Sequence, residues 1–204
     1  MSNEMVLRLS RAIESKDEIT GSHVTRIGMY AKILAEAMGM PSHFCESIQI
    51  ASAMHDVGKI EIPDNILLKT NVLTSEELKT MESHTTIGAK ILTGSSYPLI
   101  QMDTTIALYH HEKWDGTGYP KGLKGEKIPI EARIVSLCDH YDALVSKRPY
   151  RPPFSHQETV RMISEGVERT GPQYFDPAVL KAFIQAESSF EKVVSSFQLN
   201  TYGF

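Results

Sequence analysis

Apolar residues recur along this chain at intervals of three and four. Val24, Ile27, Ala31, Leu34 and Met38 form one such stripe, the signature of an amphipathic helix buried on one face. Gly39 offers a stop, and Pro41 and Ser42 start a helix in which Ile48, Ala51 and His55 share a face. Gly58 ends that helix, and Pro63 with Asp64 begins a short turn. Thr74 followed by Glu77 reads as a capping box, opening a helix that carries Leu78, Met81, His84, Ile87 and Ile91. A further helix is expected from Ile100 to His111. DGTGYPKGLKGEKIP, residues 115–129, holds too many glycines and prolines for a helix. Trp114, Tyr119, Leu123 and Ile128 interrupt its polarity, so it reads as a long ordered loop. Residues 130–146 are helical again, with Ile134, Leu137, Cys138, Tyr141 and Val145 facing inward, until RPYRPP breaks the pattern. Two more helices, roughly 156–169 and 177–192, complete the reading. No alternating strand pattern competes with it. The expected fold is an all-α bundle in a single domain, residues 1–192, with a frayed C-terminal tail at 193–204.

Composition narrows the options. A chain of 204 residues with 41% hydrophobic and 23% charged residues can bury a core without staples. Its net charge of −4 argues against binding nucleic acid polymers. A small anion stays compatible with it, because bound cations invert a local field. Cys45 and Cys138 both sit on apolar helix faces and read as core thiols, which suits a reducing cytoplasm. The N-terminus, MSNEMVLRLSRAIESKD, lacks a signal-peptide core, and no apolar run is long enough for membrane insertion. The expected location is cytoplasmic.

Histidines carry the chemistry. His55 and Asp56 are adjacent, and adjacent side chains on a helix diverge by about 100°, unless the helix ends there, as Gly58 suggests. His84, His110 and His111 lie on or beside inward helix faces, and Asp139 stands among Val135, Leu137, Cys138 and Tyr141. Each alone reads equally as a satisfied core histidine or an ion-pair partner. With His23 the set becomes five histidines and two aspartates facing inward. A shared cation site is the economical explanation, since buried carboxylates are rare without one.

The segments HDVGKIEIPDNIL (55–67), HHEKWDGTGYPKGLKGEKIP (110–129), ARIVSLCDHYDALVSKRPYR (132–151) and TGSH (20–23) resemble the HD-GYP family, a branch of the HD-domain metal-dependent phosphohydrolases. The resemblance runs from Arg11 to Phe183 and implies an HD-domain-like helical bundle with an ordered GYP loop. It places one metal among His23, His55, Asp56 and Asp139 and a second among His84, His110 and His111, with Asp56 bridging. A carboxylate can bridge, whereas an imidazole gives one lone pair to one ion. The donor set suits iron or manganese, with zinc and nickel as other occupants. Some members hold a third metal through a Glu one turn before the first histidine; here that position is Ile19, so two ions are expected.

The resemblance gives Lys59 a contact to substrate phosphate, and Arg148 and Arg151 contacts to phosphate and guanine. Tyr119 either stacks on a base or packs the loop. Glu112 and Asp115 either orient the neighbouring histidines or hydrogen-bond the loop's own backbone, the second being favoured. Two cations about 3.5–4 Å apart activate a hydroxide between them for in-line attack on phosphorus. The implied substrate is cyclic di-GMP, opened to linear pGpG with GMP as a further product. Members usually follow a receiver or sensory domain, so signalling partner proteins are expected. Competing readings are a low-activity cyclic-dinucleotide sensor, a generic nucleotide phosphohydrolase of the superfamily, and a helical di-iron oxygen protein; the GYP loop and RPYR favour phosphodiester chemistry.

Overall fold

The computed structural model describes residues 3–17, 22–147, 152–167 and 170–200, the side chains of 3, 17 and 198–200 excepted. Ten α-helices follow one another within them: α1 (Asn3–Glu14), α2 (His23–Ala37), α3 (Ser42–Ala51), α4 (Asp64–Leu67), α5 (Ser75–Glu82), α6 (His84–Leu92), α7 (Pro98–Tyr109), α8 (Ile130–Val145), α9 (His156–Arg161) and α10 (Pro177–Asn200). Among the described residues there is no strand, only an isolated bridge between Val167 and Thr170. The all-α expectation holds. No described helix is long and apolar enough to cross a membrane.

The main core lies between α2, α3, α7, α8 and α10. Ile27, Tyr30 and Leu34 of α2, Ile48 of α3, Ile106 of α7, Ile134, Leu137 and Tyr141 of α8 and Phe183 and Phe190 of α10 are fully buried there. Tyr30 stacks on Phe190 with ring centroids 4.5 Å apart, and Tyr141 meets Phe190 edge-on at 5.0 Å, a contact worth about 0.5–1.5 kcal/mol beyond area burial. Cys45 and Cys138 are free thiols in the same core. A second, smaller cluster of Val6, Met54, Val57, Leu92 and Ala107 ties α1, α6 and α7 to the chain segment after α3.

Several boundaries differ from the sequence reading. The helix expected across 74–91 is two helices. Thr74 and Glu77 do form the capping box, but Ser83 donates its hydroxyl to Thr80, His84 engages the Met81 carbonyl and Thr85 donates to Glu82. Side chains thus take up the last carbonyls of α5 and stop it. The buried face of α6 is accordingly His84, Thr85, Gly88, Ala89 and Leu92, while Ile91 is exposed. The helix expected across 156–169 is α9 followed by a π turn, Met162–Gly166. The break expected at residue 192 is absent: α10 runs on to Asn200, with Val193 buried in the core and Phe197 packed against it. Residues 193–200 are therefore helix rather than tail.

Candidate metal centre

α3 ends at Ala51, four residues before the pair it was expected to carry. Tighter 3-10 turns, Ser52–Met54 and Val57–Glu61, flank His55 and Asp56 and let the two side chains converge. Gly58 lies inside the second turn and is not a helix stop. A Cβ there would sit 1.9 Å from the His84 carbonyl oxygen. Glycine at this position lets the His55–Asp56 turn press against the start of α6.

His23 opens α2, His84 opens α6, His110 follows the last turn of α7 with His111 beside it, and Asp139 lies within α8. These origins converge on two groups. Asp56, His84, His110 and His111 form one, and His23, His55 and Asp139 the other, each with one donor atom per residue inside 4.8 Å of the rest. Asp56 joins them: its Oδ1 lies 3.3 Å from His84 Nε2 and 3.7 Å from His110 Nε2, while Oδ2 lies 3.2 Å from His55 Nε2. Asp139 Oδ1 lies 3.7 Å from His23 Nε2 and 4.0 Å from His55 Nε2.

The outer ring nitrogens fix the tautomers. Nδ1 of His55 meets the Ser52 carbonyl at 2.8 Å, that of His84 the Met81 carbonyl at 2.7 Å, and that of His110 the Ile106 carbonyl at 3.0 Å. His23 Nδ1 meets Asp142 Oδ2 at 2.7 Å. With each Nδ1 placed to donate its proton outward, each Nε2 faces the cluster, the arrangement seen for ligating histidines. His55 Nε2 and Asp56 Oδ1 are buried without a hydrogen-bond partner. Orphaned acceptors of this kind cost several kcal/mol unless something positive satisfies them. The residues fit a pair of divalent cations.

Electrostatics agree with the geometry. Burial, then the His110 charge, holds His84 near a pKa of about 4, and burial with the same neighbours pushes His111 well below its usual range. Burial opposes charge on His55, yet Asp56 and Asp139 raise it to about 9. Burial likewise opposes charge on Asp56, and Lys59 with His55 still holds its pKa well below the carboxylate range. The Asp56 side of the centre attracts positive charge, while His84 and His111 stay neutral.

Lys59 reaches the cluster, with Nζ 2.9 Å from Asp56 Oδ2. The Tyr119 ring stacks on His111 at 4.8 Å and 27°, and its amide donates to the His111 carbonyl at 3.2 Å. Glu112 serves the loop backbone, accepting from the amides of Lys121 at 2.7 Å and Leu123 at 2.9 Å. Asp115 accepts from the Thr117 amide at 2.9 Å. Gly118 permits a close crossing in that loop, since a Cβ would lie 2.3 Å from the Lys113 nitrogen. Ile19, Arg148 and Arg151 lie outside the described residues.

Two residues escaped the sequence reading. Asp139 is half-buried, and the fully enclosed aspartate of α8 is Asp142, with a side chain 1% exposed. Asp142 takes Nε and a terminal nitrogen of Arg26, both at 2.7 Å, while holding His23; Arg26 lies on the buried face of α2 and was the available signal. Glu14 is the other, on the α1 face that buries Val6 and Ser10 four residues apart.

The HD domain model matches residues 8–179 of the chain. A Thermotoga maritima protein named cyclic di-GMP phosphodiesterase is 44% identical over 190 residues, covering 93% of this chain and 50% of that protein. A Vibrio cholerae protein named 3'3'-cGAMP-specific phosphodiesterase 2 is 37% identical, covering 96% of this chain and 37% of its own length. This chain thus spans half or less of the length of these relatives. Among solved structures, a cyclic GMP-AMP specific phosphodiesterase of V. cholerae matches with a TM-score of 0.67 at 16% identity, over 95% of this chain and 50% of the other; it shares the fold. With the His-Asp pair at the junction of two donor groups and a match over most of its length, this chain belongs to the HD-domain family.

Proposed function

We propose that the chain is the catalytic domain of an HD-GYP phosphodiesterase that hydrolyses cyclic di-GMP to pGpG, with GMP as a further product. The observation that carries this reading is the sharing of Asp56 between two donor groups into which His23, His55, His84 and His110 turn their Nε2 atoms. His23, His55 and Asp139 would hold one cation, His84, His110 and His111 the other, and Asp56 would bridge. The donors suit iron or manganese. When bound, such a pair supplies Lewis acidity to the phosphoryl group and acidifies water. Two ions remain the reading, with Ile19 unable to contribute a third set of donors.

The chain's own residues supply the rest. Lys59, already beside Asp56, offsets charge that develops on phosphoryl oxygens. Arg148 and Arg151 bind phosphate and guanine through their guanidinium forks. Tyr119 holds His111 in place from the loop side. No serine or cysteine nucleophile is required. The cGAMP-specific relative makes a mixed cyclic dinucleotide the second substrate to test. Buried free thiols support a cytoplasmic setting, and signalling partner proteins would act through the rest of a longer protein.

The test is chromatography of cyclic di-GMP and 3'3'-cGAMP digests after anaerobic loading with Mn²⁺ or Fe²⁺. Accumulating pGpG from cyclic di-GMP supports the proposal. Loaded protein that binds cyclic di-GMP and leaves it intact makes the domain a sensor instead.

A further inference from the structure

Behind His23 and His55 lies a cavity closed on one side by α1. Glu14 lines it together with Ser10, His23, His55, Asp56 and Lys59. Glu14 is only 7% exposed. Its Oε1 accepts the Val24 amide at 3.4 Å, at the start of α2, where Ser22 makes no capping bond of its own. Its Oε2 is buried and has no hydrogen-bond partner. Ile13, Val24, Met54 and Val57 also line the cavity, and a carboxylate with one oxygen committed to a helix start and the other unsatisfied in such surroundings is costly to ionise unless a cation answers it.

We propose that Glu14 supplies a further carboxylate to the cation site of His23, His55 and Asp139. The inference rests on the metal-centre reading above and deepens it. His23, His55, Asp139 and Asp56 would give that side four protein donors, leaving two positions of the octahedral geometry that manganese favours to water. The Glu14 oxygens stand outside the tight group defined by the other three side chains. Glu14 therefore acts from the rim of the site, drawing the ion in and orienting water upon it, as outer carboxylates do for ligated metals. α1 then has a purpose beyond packing, because it brings negative charge to the side of the centre away from α6 and α7.

Glu14→Gln separates this role from helix capping, since the amide oxygen still accepts the Val24 N–H while the charge is lost. Equilibrium dialysis against Mn²⁺ with elemental analysis, and the Mn²⁺-induced rise in melting temperature, read it without substrate. The expected result is a loss of about 10–100-fold in affinity at one of two Mn²⁺ sites, a smaller metal-induced shift, and no drop in melting temperature without metal. Glu14→Asp, which keeps the charge, should bind Mn²⁺ more tightly than Glu14→Gln. Wild-type and Glu14→Gln proteins with the same affinity at both sites would overturn the proposal and leave the metal centre standing. So would equal losses in the Asp and Gln variants accompanied by a lower metal-free melting temperature, which would make Glu14 a helix anchor only. A wild-type chain that takes up no Mn²⁺ would instead overturn the metal-centre reading itself.

Discussion

The two halves of the candidate centre are built alike at their donor side chains and differently behind them. His84 and His110 lean on backbone carbonyls of helix ends, Met81 of α5 and Ile106 of α7. In the other half His55 likewise leans on a carbonyl, that of Ser52, but His23 leans on a side chain, Asp142, itself clamped by Arg26. The Met81 and Ile106 carbonyls both lie in the last turns of their helices, so the first half needs nothing beyond correct helix termini. The second half depends on a buried ion pair that stands or falls as a unit. Burial pushes the Asp142 carboxyl up, yet its bonds to Arg26 and His23 hold its pKa well below the carboxylate range. One half is therefore robust to side-chain change, and the other is exposed to it.

The largest break should come at the shared residue. Asp56→Ala removes the donor common to both halves, and turnover of cyclic di-GMP should fall by about 10³-fold or more, as expected when a group bridging two ions is lost. Steady-state assays at saturating Mn²⁺ would show it, and full turnover in that variant would contradict the bridging role. Gly58→Ala should come next. Its methyl group meets the His84 carbonyl oxygen at 1.9 Å, so the His55–Asp56 turn and α6 must part. Overpacking of that kind costs about 1–3 kcal/mol, visible in denaturant melts together with weaker metal uptake in both halves.

Asp142→Ala tests the asymmetry itself. It leaves Arg26 buried and unpaired, at a cost of about 3–5 kcal/mol, and frees the His23 ring. Metal affinity should drop about 10–100-fold at one site and hold at the other, as titration calorimetry would report. Equal losses at both sites would erase the distinction between the halves.

The smallest effect concerns the robust half. Asp103, on α7 seven residues before His110, is fully buried and neither carboxylate oxygen has a partner. Burial raises its pKa to about 8. The folded chain thus keeps a proton that the unfolded chain releases near pH 4, so stability falls as pH climbs from about 4 to 8. Asp103→Ala should raise the melting temperature at pH 8 and change it little at pH 4.5. A similar gain at both values would show that Asp103 does not titrate as described.

The candidate ligands were legible because histidine and aspartate are scarce on apolar helix faces, and every such residue proposed for the cluster lies in one of the two donor groups. The supports were not. Asp139 and Asp142 are one helical turn apart, and periodicity alone cannot tell which reaches the cluster and which is sealed behind it. Glu14 has the look of a solvated residue at a helix end until α1 is laid against α2. The split at Ser83 was hidden by hydrophobic spacing that continues through it, since hydroxyl capture of carbonyls leaves no trace in that spacing.

Elemental analysis of anaerobically purified chain saturated with Mn²⁺ or Fe²⁺ asks the central question directly. The geometry predicts two equivalents bound to the wild type and fewer to Asp56→Ala. A wild type that never exceeds one equivalent, or an Asp56→Ala variant that retains two, would contradict a centre built around a shared carboxylate.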